Sequence, residues 1–178
     1  MRKTLCSLVL LLAATLSIVA QETPKAEVFG GYSWAGGNFH GWNTSVTGNV
    51  NKWFGVTADF SGHYGSEQFG ALEEKQRGLS FLAGPRFTLR RGKRFTPFAY
   101  ALFGGVNYRV SLEAAGQHVA SASDTGFNMA LGGGLDIKVN DRVAVRAFQI
   151  DYFRPHFFGE SHNRGRLAFG LVLRFGKK

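Results

Sequence analysis

Hydrophobic and polar residues alternate with a period of two along most of the chain after Ala26, which is typical of β-strands with two different faces. The last segment shows the alternation most clearly. One face carries Leu167, Phe169, Leu171, Leu173 and Phe175, and the other carries Arg166, Ala168, Gly170, Val172 and Arg174. No long helical stripe accompanies this pattern, so we predict an all-β chain.

The alternation divides the chain into eight predicted strands: 26–34, 42–51, 54–64, 78–89, 98–109, 124–139, 142–154 and 166–175. Most of them approach or exceed the ~9–11 residues that a tilted strand needs to cross a bilayer. Short turns are predicted near Asn51-Lys52, Arg91-Gly92-Lys93 and Asn140-Asp141, and longer polar links near 35–41, 65–77, 110–123 and 155–163. Such alternation of turn lengths is typical of transmembrane barrels, whose short turns lie in the periplasm. We therefore predict an eight-stranded antiparallel up-and-down transmembrane β-barrel with both termini in the periplasm.

Side-chain volume indicates which face points outward. The polar face consists mainly of Gly, Ala, Ser, Thr and Asn, whereas the apolar face carries most of the Phe, Tyr and Leu, which would not fit in the narrow lumen of eight strands. This assigns five side chains of the fifth strand to the lipid: Phe98, Tyr100, Leu102, Val106 and Tyr108. In the seventh strand it places Arg146 outward beside Phe148. Aromatic residues near the strand ends match the girdles of membrane barrels: Trp34, Trp42, Trp53, Tyr64, Tyr108 and Tyr152.

The face predicted to line the lumen carries charges of both signs. Its acidic members are Glu27, Asp59, Asp136 and Asp151, and its basic members are Arg86, Arg109, Lys138, Arg166 and Arg174. Buried charges must be paired to be tolerated. We therefore expect this lumen charge network to plug the barrel and fix its register, with ion conduction or proton sensing as the alternative.

The first twenty residues differ from the rest of the chain. Arg2 and Lys3 precede an uncharged apolar run from Leu8 to Val19, and the small residue Ala20 ends it. This is typical of a cleaved secretory signal peptide, because the run is short for a retained transmembrane helix. We predict a signal peptide at 1–20 and a barrel domain at 21–178. Cys6 lies in the leader, so the mature domain would contain no cysteine and no disulfide.

The chain has a formal net charge of +9. Such a basic balance can indicate nucleic-acid binding, but an exported chain seldom meets nucleic acid, and no recognition motif is present. Anionic lipid headgroups and lipopolysaccharide phosphates are the expected counter-charges. Arg90, Arg91, Lys93 and Arg94 form a basic cluster on a predicted periplasmic turn. The cluster either binds phospholipid headgroups or the cell wall, or is simply a solvated turn.

Several motifs occur in a fixed order: Glu27-Val28-Phe29-Gly30-Gly31-Tyr32-Ser33, Asn51-Lys52-Trp53-Phe54-Gly55, Gly84-Pro85-Arg86, Pro97-Phe98-Ala99, Gly132-Gly133-Gly134-Leu135-Asp136 and Gln149-Ile150-Asp151-Tyr152. With them, residues 26–175 resemble the outer-membrane protein β-barrel domain family, the small OmpA/OmpX-type barrels of diderm bacteria. The resemblance implies an outer-membrane location and structural, adhesive or host-interaction roles. The segment Leu171-Val172-Leu173-Arg174-Phe175 is similar to the β-signal read by the barrel-assembly machinery. It departs from that signal in the Gly176-Lys177-Lys178 that follows the aromatic residue.

Candidate chemistry is sparse. Glu160-Ser161-His162 places a serine beside a histidine, but adjacent side chains on an extended segment point apart and cannot form a relay. The His-x-Ser pattern of lipid A deacylases does not occur. The five histidines, His40, His63, His118, His156 and His162, map to the predicted extracellular rim, without the spacing of a pre-set metal pair. We predict no catalytic residue, metal or cofactor.

The function predicted from these observations is that of a structural or surface-interaction barrel. We expect a monomer, inserted by the barrel-assembly machinery, with an extracellular partner bound through its loops. The alternatives are a narrow pore, a carrier of lipid or small ligands, and a lipid A-modifying enzyme.

Overall fold

The computed structural model describes residues 23–69, 72–90, 94–114, 117–157, 160–161 and 163–176. The predicted signal peptide at 1–20 lies outside them. The strands are β1 Ala26–Trp34, β2 His40–Asn49, β3 Phe54–Phe69, β4 Leu72–Thr88, β5 Phe95–Ala114, β6 Gln117–Lys138, β7 Val143–Phe153, β8 His156–Phe157, β9 Glu160–Ser161 and β10 Arg164–Phe175. Within the described residues, no helix is both long enough and apolar enough to span a membrane.

Eight of the strands close into one antiparallel ring in the order β1-β10-β7-β6-β5-β4-β3-β2. The ring closes where β1 pairs with β10, from Ala26 opposite Phe175 to Trp34 opposite Leu167. Strands β8 and β9 form a separate small hairpin. The predicted eight-stranded up-and-down barrel is therefore confirmed.

The two ends of the barrel differ in their connections. At the turn end, which holds Ala26 and Phe175, only four to six residues separate consecutive strands, namely 50–53, 89–94 and 139–142. Asn51 Oδ1 accepts hydrogen bonds from the backbone N–H of Trp53 and Phe54 at 2.9 and 2.8 Å. Asn140 Oδ1 likewise accepts hydrogen bonds from the backbone N–H of Arg142 and Val143 at 2.9 and 2.8 Å. These asparagines stabilise tight turns by replacing a backbone acceptor, as the sequence predicted near both positions.

At the opposite hairpin end, two connections predicted as polar loops are largely strand. Pairing of β3 with β4 continues to Phe69 opposite Leu72, and pairing of β5 with β6 continues to Ala114 opposite Gln117. Residues 65–69 with 72–77, and residues 110–114 with 117–123, are therefore mostly paired strand. The alternation is lost there because both faces of a hairpin that projects into water can be polar, so the pattern ends although the hydrogen-bonded ladder continues.

The bulky apolar face points outward on most strands. On β10 the side chains of Leu167, Phe169, Leu171, Leu173 and Phe175 are exposed, whereas Ala168 and Val172 between them are buried. Outward residues of β2, β3 and β6 continue this apolar belt around the barrel, among them Val46, Val56, Phe60, Phe127 and Leu131. The orientation predicted from side-chain volume is thus confirmed for these strands.

The prediction for the fifth strand was wrong. Phe98, Tyr100, Leu102 and Val106 are buried inside the barrel, and Phe95 and Phe103 face outward instead. Tyr108, predicted as a girdle residue, is only half-buried on the inner side and donates a hydrogen bond to Gln76. Both faces of β5 carry aromatic residues, so volume alone could not distinguish them.

The prediction for Arg146 was also wrong, because β7 contains a β-bulge. Phe148 is opposite Leu135 and Arg146 is opposite Asp136, so Ala147 is an extra residue with no counterpart on β6. On the other side of β7, Gln149 is opposite Ala168 and Arg146 is opposite Gly170 of β10, so Ala147 also falls within an irregularity of that pairing. The bulge shifts the alternation by one residue, so Arg146 points inward while both Ala147 and Phe148 point outward.

Candidate functional site: the charged interior of the barrel

The interior contains two groups of charged side chains at different depths. The hairpin-side cluster consists of Asp59, Asp151 and Arg166 with Tyr100, Asn43 and Gln149. The turn-side cluster consists of Glu27, Asp136, Arg86, Arg90, Arg146 and Arg174. All these side chains point inward from strands of the closed ring or, for Arg90, from the residue two beyond β4.

Arg166 is the centre of the hairpin-side cluster. Its Nε donates to Asp151 Oδ2 at 2.6 Å, and its Nη1 donates to Asp59 Oδ1 at 3.1 Å. Tyr100 donates its hydroxyl to Asp151 Oδ1 at 2.5 Å, and Asn43 donates to Asp59 Oδ2 at 2.8 Å. One arginine on β10 therefore ties β7 to β3 across the lumen through two buried carboxylates.

Asp136 is the first of two carboxylates in the turn-side cluster. Arg146 contacts it with two nitrogens, Nε to Oδ1 at 2.8 Å and Nη2 to Oδ2 at 3.2 Å. Arg86 reaches the same Oδ2 from β4 at 3.0 Å. A bidentate arginine–carboxylate pair of this kind is both strong and geometrically specific.

Glu27 is the second carboxylate, and three arginines surround it. Arg90 Nη2 lies 3.2 Å from Glu27 Oε2, Arg174 Nε lies 3.3 Å from Oε1, and Arg86 Nη2 lies 3.9 Å from Oε2. Arg90 also donates to Asn49 Oδ1 at 3.2 Å. Glu27 thereby connects the barrel seam at β1–β10 to the end of β4.

Gln149 joins the two clusters. Its Oε1 accepts from Arg146 Nη1 at 2.5 Å, and its Nε2 donates to Asp151 Oδ2 at 2.9 Å and to Asn43 Oδ1 at 3.2 Å. A continuous chain of polar contacts therefore runs along the interior from Glu27 to Asp59.

Aromatic rings hold the guanidinium groups in place. Arg86 lies over the ring of Phe98 at 4.0 Å, Arg146 lies between Phe29 and Phe98 at 4.1 and 4.4 Å, and Arg166 lies over Phe153 at 4.4 Å. Such cation–π contacts are favourable and strengthen when the pair is desolvated. The inward aromatic residues of β5 and β7 are thus part of the charged site.

Two glycines of β6 make room for this packing. A Cβ on Gly132 would lie 2.0 Å from Asp151 Oδ1, and a Cβ on Gly134 would lie 2.9 Å from the ring of Phe98. Two of the three glycines of the motif are therefore explained by the close approach of Asp151 and the Phe98 ring to β6, whereas a Cβ on Gly133 would lie 2.5 Å from the backbone oxygen of Phe98.

The structure brings together seven of the nine residues proposed for the lumen network, namely Glu27, Asp59, Arg86, Asp136, Asp151, Arg166 and Arg174. Arg109 is not one of them, because its side chain points away from the lumen and is exposed on the outer face of β5. Lys138 lies at the turn end, half-buried, and its Nζ pairs with Asp141 at 2.6 Å.

Sequence reasoning missed Arg90, Arg146, Tyr100, Asn43 and Gln149 as members of the charged site. Arg90 continues the inward series of Arg86 and Thr88, so extending the alternation of β4 by one step would have found it. No signal in the alternation could have found Arg146, because its inward direction depends on the bulge at Ala147.

The remaining predicted sites are placed as follows. Leu171, Leu173 and Phe175, proposed as the assembly signal, face outward on β10. Of the basic turn cluster, Arg94 is exposed, while positions 91 and 93 lie outside the described residues.

Ser33 and His63 share a hydrogen bond of 2.8 Å at the hairpin end, where His40 is hydrogen-bonded to Tyr32. His156 pairs with Ser161 through the β8–β9 ladder, and position 162 is outside the described residues. In the described part of the chain, no group of His, Cys, Asp and Glu side chains could hold a metal ion.

A closed antiparallel barrel with an apolar outer belt and a charged, packed interior is a membrane β-barrel of the bacterial outer-membrane type. The chain matches the model of the outer membrane protein beta-barrel domain over residues 6–175 and belongs to that family. This family places the protein in the bacterial outer membrane. No curated protein matches the sequence.

Similar solved structures are also small outer-membrane barrels. Ail, the attachment invasion locus protein of Yersinia pestis, is 20% identical with a TM-score of 0.64, over 86% of this chain and 99% of Ail. Neisserial surface protein A is 13% identical with a TM-score of 0.61, over 84% of this chain and 96% of its own. The N-terminal barrel of Pseudomonas aeruginosa OprF is 10% identical with a TM-score of 0.51, over 87% of this chain and 100% of the OprF barrel. Ail has also been solved in complex with the heparin analogue sucrose octasulfate. At these identities the likeness shows the fold.

Proposed function

We propose that this protein is a closed outer-membrane barrel with a structural and surface-interaction role, whose long hairpins present the contact surface outside the cell. The observation that carries the proposal is the filled interior. Arg166, Arg146 and Arg86 are nearly completely buried. Arg166 and Arg86 each bridge two carboxylates on different strands, and Arg146 holds Asp136 through two nitrogens. Removing one partner from such pairs costs several kcal/mol, so they do not open readily to let ions pass.

The length of the hairpins supports the surface role. Strand β6 has 22 residues and β5 has 20, about twice the ~9–11 that a tilted strand needs to cross a bilayer. The extra residues continue beyond the aromatic residues Tyr64 and Trp42 at the hairpin end. They are held by strand pairing and offer a pre-ordered surface, which reduces the entropy cost of binding a partner.

The chemistry of the hairpins favours an anionic partner. Arg77 and Arg109 are directly opposite each other on β4 and β5 and are both exposed on the outer face. Arg77 lies 5.3 Å from the ring of Tyr64, and in the described part of the chain neither arginine makes an ion pair. Adjacent like charges repel each other. A sulfated or phosphorylated glycan would remove that repulsion, and the complex of Ail with a heparin analogue supports this class of partner.

Binding of sucrose octasulfate to the purified protein in lipid nanodiscs tests the proposed surface. We expect saturable binding by the natural chain, weakened on the order of a hundredfold or more in the double variant Arg77→Gln/Arg109→Gln, because each of the two lost charged contacts is worth about 1.5–3 kcal/mol. The control is Arg154→Gln, an exposed arginine outside the pair. Equal affinity of the double variant and the natural chain would show that the partner binds elsewhere.

Planar-bilayer recording separates the closed barrel from the pore. We expect no conductance steps from the purified protein at either polarity. Reproducible single-channel steps would refute the closed interior and would favour the narrow-pore alternative, independently of the glycan result.

We also infer that both termini lie in the periplasm, since they leave the barrel at the turn end, and that Leu171, Leu173 and Phe175 form the assembly signal read by the barrel-assembly machinery. A monomer surrounded by phospholipid and lipopolysaccharide accords with the apolar belt, which continues around the ring. Residues 1–20 are proposed as the cleaved signal peptide and 21–178 as the barrel domain.

A further inference from the structure

The turn-side cluster contains more positive than negative charge. Four arginines, Arg86, Arg90, Arg146 and Arg174, share two carboxylates, whereas in the hairpin-side cluster a single arginine is shared by two. The turn side therefore carries two excess positive charges, of which the hairpin-side cluster offsets one. Because an uncompensated buried charge is costly, a further negative charge at the turn side would stabilise the interior.

Several buried donors of the turn-side cluster, and two threonine hydroxyls at the same end of the barrel, have no hydrogen-bond partner in the described protein. They are Nε of Arg86, Nε of Arg90, Nε and Nη2 of Arg174, and the hydroxyls of Thr88 and Thr96. The side chains of Arg90 and Arg174 are only 3% and 4% exposed. Arg174 Nε lies 3.3 Å from Glu27 Oε1, within ion-pair distance but without hydrogen-bond geometry. Leaving a buried donor unpaired is unfavourable, and more so if it is charged.

These donors lie close to the mouth of the barrel. Arg174 is the second-last residue of β10, Thr96 is the second residue of β5, and Arg90 follows the end of β4. Asn49, which ends β2, donates to the carbonyl of Pro24 at 2.9 Å beside them. Arg90, Arg174 and Thr96 therefore lie nearer to the solution at the turn end than the rest of the charged interior does.

We propose that the turn-end mouth is a binding site for a small oxyanion of the phosphate class, held by Arg90 and Arg174. The guanidinium group presents its N–H donors as a fork that matches the spacing of oxygens on phosphate. A bound oxyanion supplies acceptors for Nη2 of Arg174 and Nε of Arg90 and balances the excess positive charge. The chemistry would be shared by free inorganic phosphate and by a phospholipid headgroup at the rim. Because both arginine side chains are buried inside the ring, the free anion is the ligand we assign.

The test is a titration of the protein, purified from membranes in a nonionic detergent free of phosphate, with inorganic phosphate. Sodium chloride keeps the ionic strength constant, and isothermal calorimetry and the line width of the ³¹P resonance report binding. We expect saturable binding of one phosphate per barrel by the natural chain. The variant Arg174→Gln should weaken it about tenfold or more, as expected for loss of a charged hydrogen bond. In a second arm, lipid nanodiscs with and without phosphatidylglycerol should give the same phosphate affinity.

The matched control is Lys52→Gln, which removes one positive charge from an exposed residue at the same end of the barrel. It should leave phosphate binding unchanged. The proposal is overturned if the natural chain shows no saturable binding, a result that does not depend on whether any variant folds. It is also overturned if Lys52→Gln weakens binding as much as Arg174→Gln, because attraction is then diffuse. Competition by phosphatidylglycerol would assign the site to lipid headgroups instead.

Discussion

Each of the three central arginines of the interior is stabilised in two ways at once. Arg86, Arg146 and Arg166 donate to buried carboxylates at 2.6–3.1 Å and lie 4.0–4.4 Å from the centroid of an aromatic ring. The carboxylate neutralises the charge in the plane of the guanidinium, while the ring covers its face. Arginine suits this environment better than lysine, whose compact ammonium is more strongly hydrated and cannot pair with two carboxylates through a planar fork.

Replacing Arg166 tests how much the hairpin-side cluster contributes to stability. In Arg166→Met the side-chain volume is nearly retained, but Asp59 and Asp151 lose their common cation and remain buried. We expect the free energy of unfolding to fall by about 3–5 kcal/mol, measured by urea unfolding of the protein in lipid vesicles.

The control for this experiment is Arg109→Met. The alternation of the sequence assigned both arginines to the lumen, yet Arg109 is exposed on the outer face of β5. Its loss should change stability by no more than about 0.5 kcal/mol. If the two variants were equally stable, the hairpin-side cluster would contribute nothing to the stability of the barrel.

At the scale of strands, alternation predicted the elements but could not always orient them. It oriented β2, β3, β6 and β10 correctly, because each has one bulky and one small or polar face. In β5 both faces carry aromatic residues, and Phe98 and Tyr100 point inward only because Gly132 and Gly134 opposite leave space for Phe98 and for the Asp151 that Tyr100 binds. That complementarity between neighbouring strands is a property of the packed barrel and cannot be derived from one strand's period.

The bulge of β7 is the second feature that a strict period of two cannot predict. A single extra residue, Ala147, reverses the direction of Arg146, which the bidentate pair with Asp136 then fixes inside the barrel. The bidentate pair of Arg146 with Asp136 therefore depends on one alanine. The sequence contains no glycine or proline at this position to mark it.

Deleting Ala147 should destabilise the barrel strongly. Without the extra residue, Arg146 would face lipid, and Asp136 would lose its bidentate partner. An outward arginine costs about 2–4 kcal/mol at the bilayer midplane and less toward the interface, so the lost pair is the larger effect for this residue near the turn end. The fraction of heat-modifiable, folded protein on unboiled gels measures the effect. Ala147→Val keeps the bulge and adds only an outward apolar group, so it should fold like the natural chain. Normal folding of the deletion variant would mean that the bulge does not determine the direction of Arg146.

At the scale of the whole molecule, the two ends carry different chemistry. Exposed basic residues surround the turn end, where Lys25, Lys52, Arg94 and Arg142 lie beyond the apolar belt. The hairpin end extends further and carries charges of both signs, such as Lys75 paired with Glu113 at 2.6 Å. A membrane barrel with short turns and both termini on one side and long hairpins on the other is typically inserted with the short turns in the periplasm. A basic ring there would face the phospholipid headgroups of the inner leaflet.

Cysteine labelling of living cells measures this orientation directly. In a Cys6→Ser background the chain has no other cysteine, so a single thiol can be introduced at either end. Ser123→Cys places it on the exposed outer face of β6 at the hairpin end, and Lys52→Cys places it in an exposed turn. We expect a membrane-impermeant maleimide to label Ser123→Cys on intact cells and Lys52→Cys only after the outer membrane is permeabilised, because the bilayer separates the two ends. The reverse pattern would place the hairpins in the periplasm, where they could not contact molecules outside the cell, whereas the packing of the interior would be unaffected.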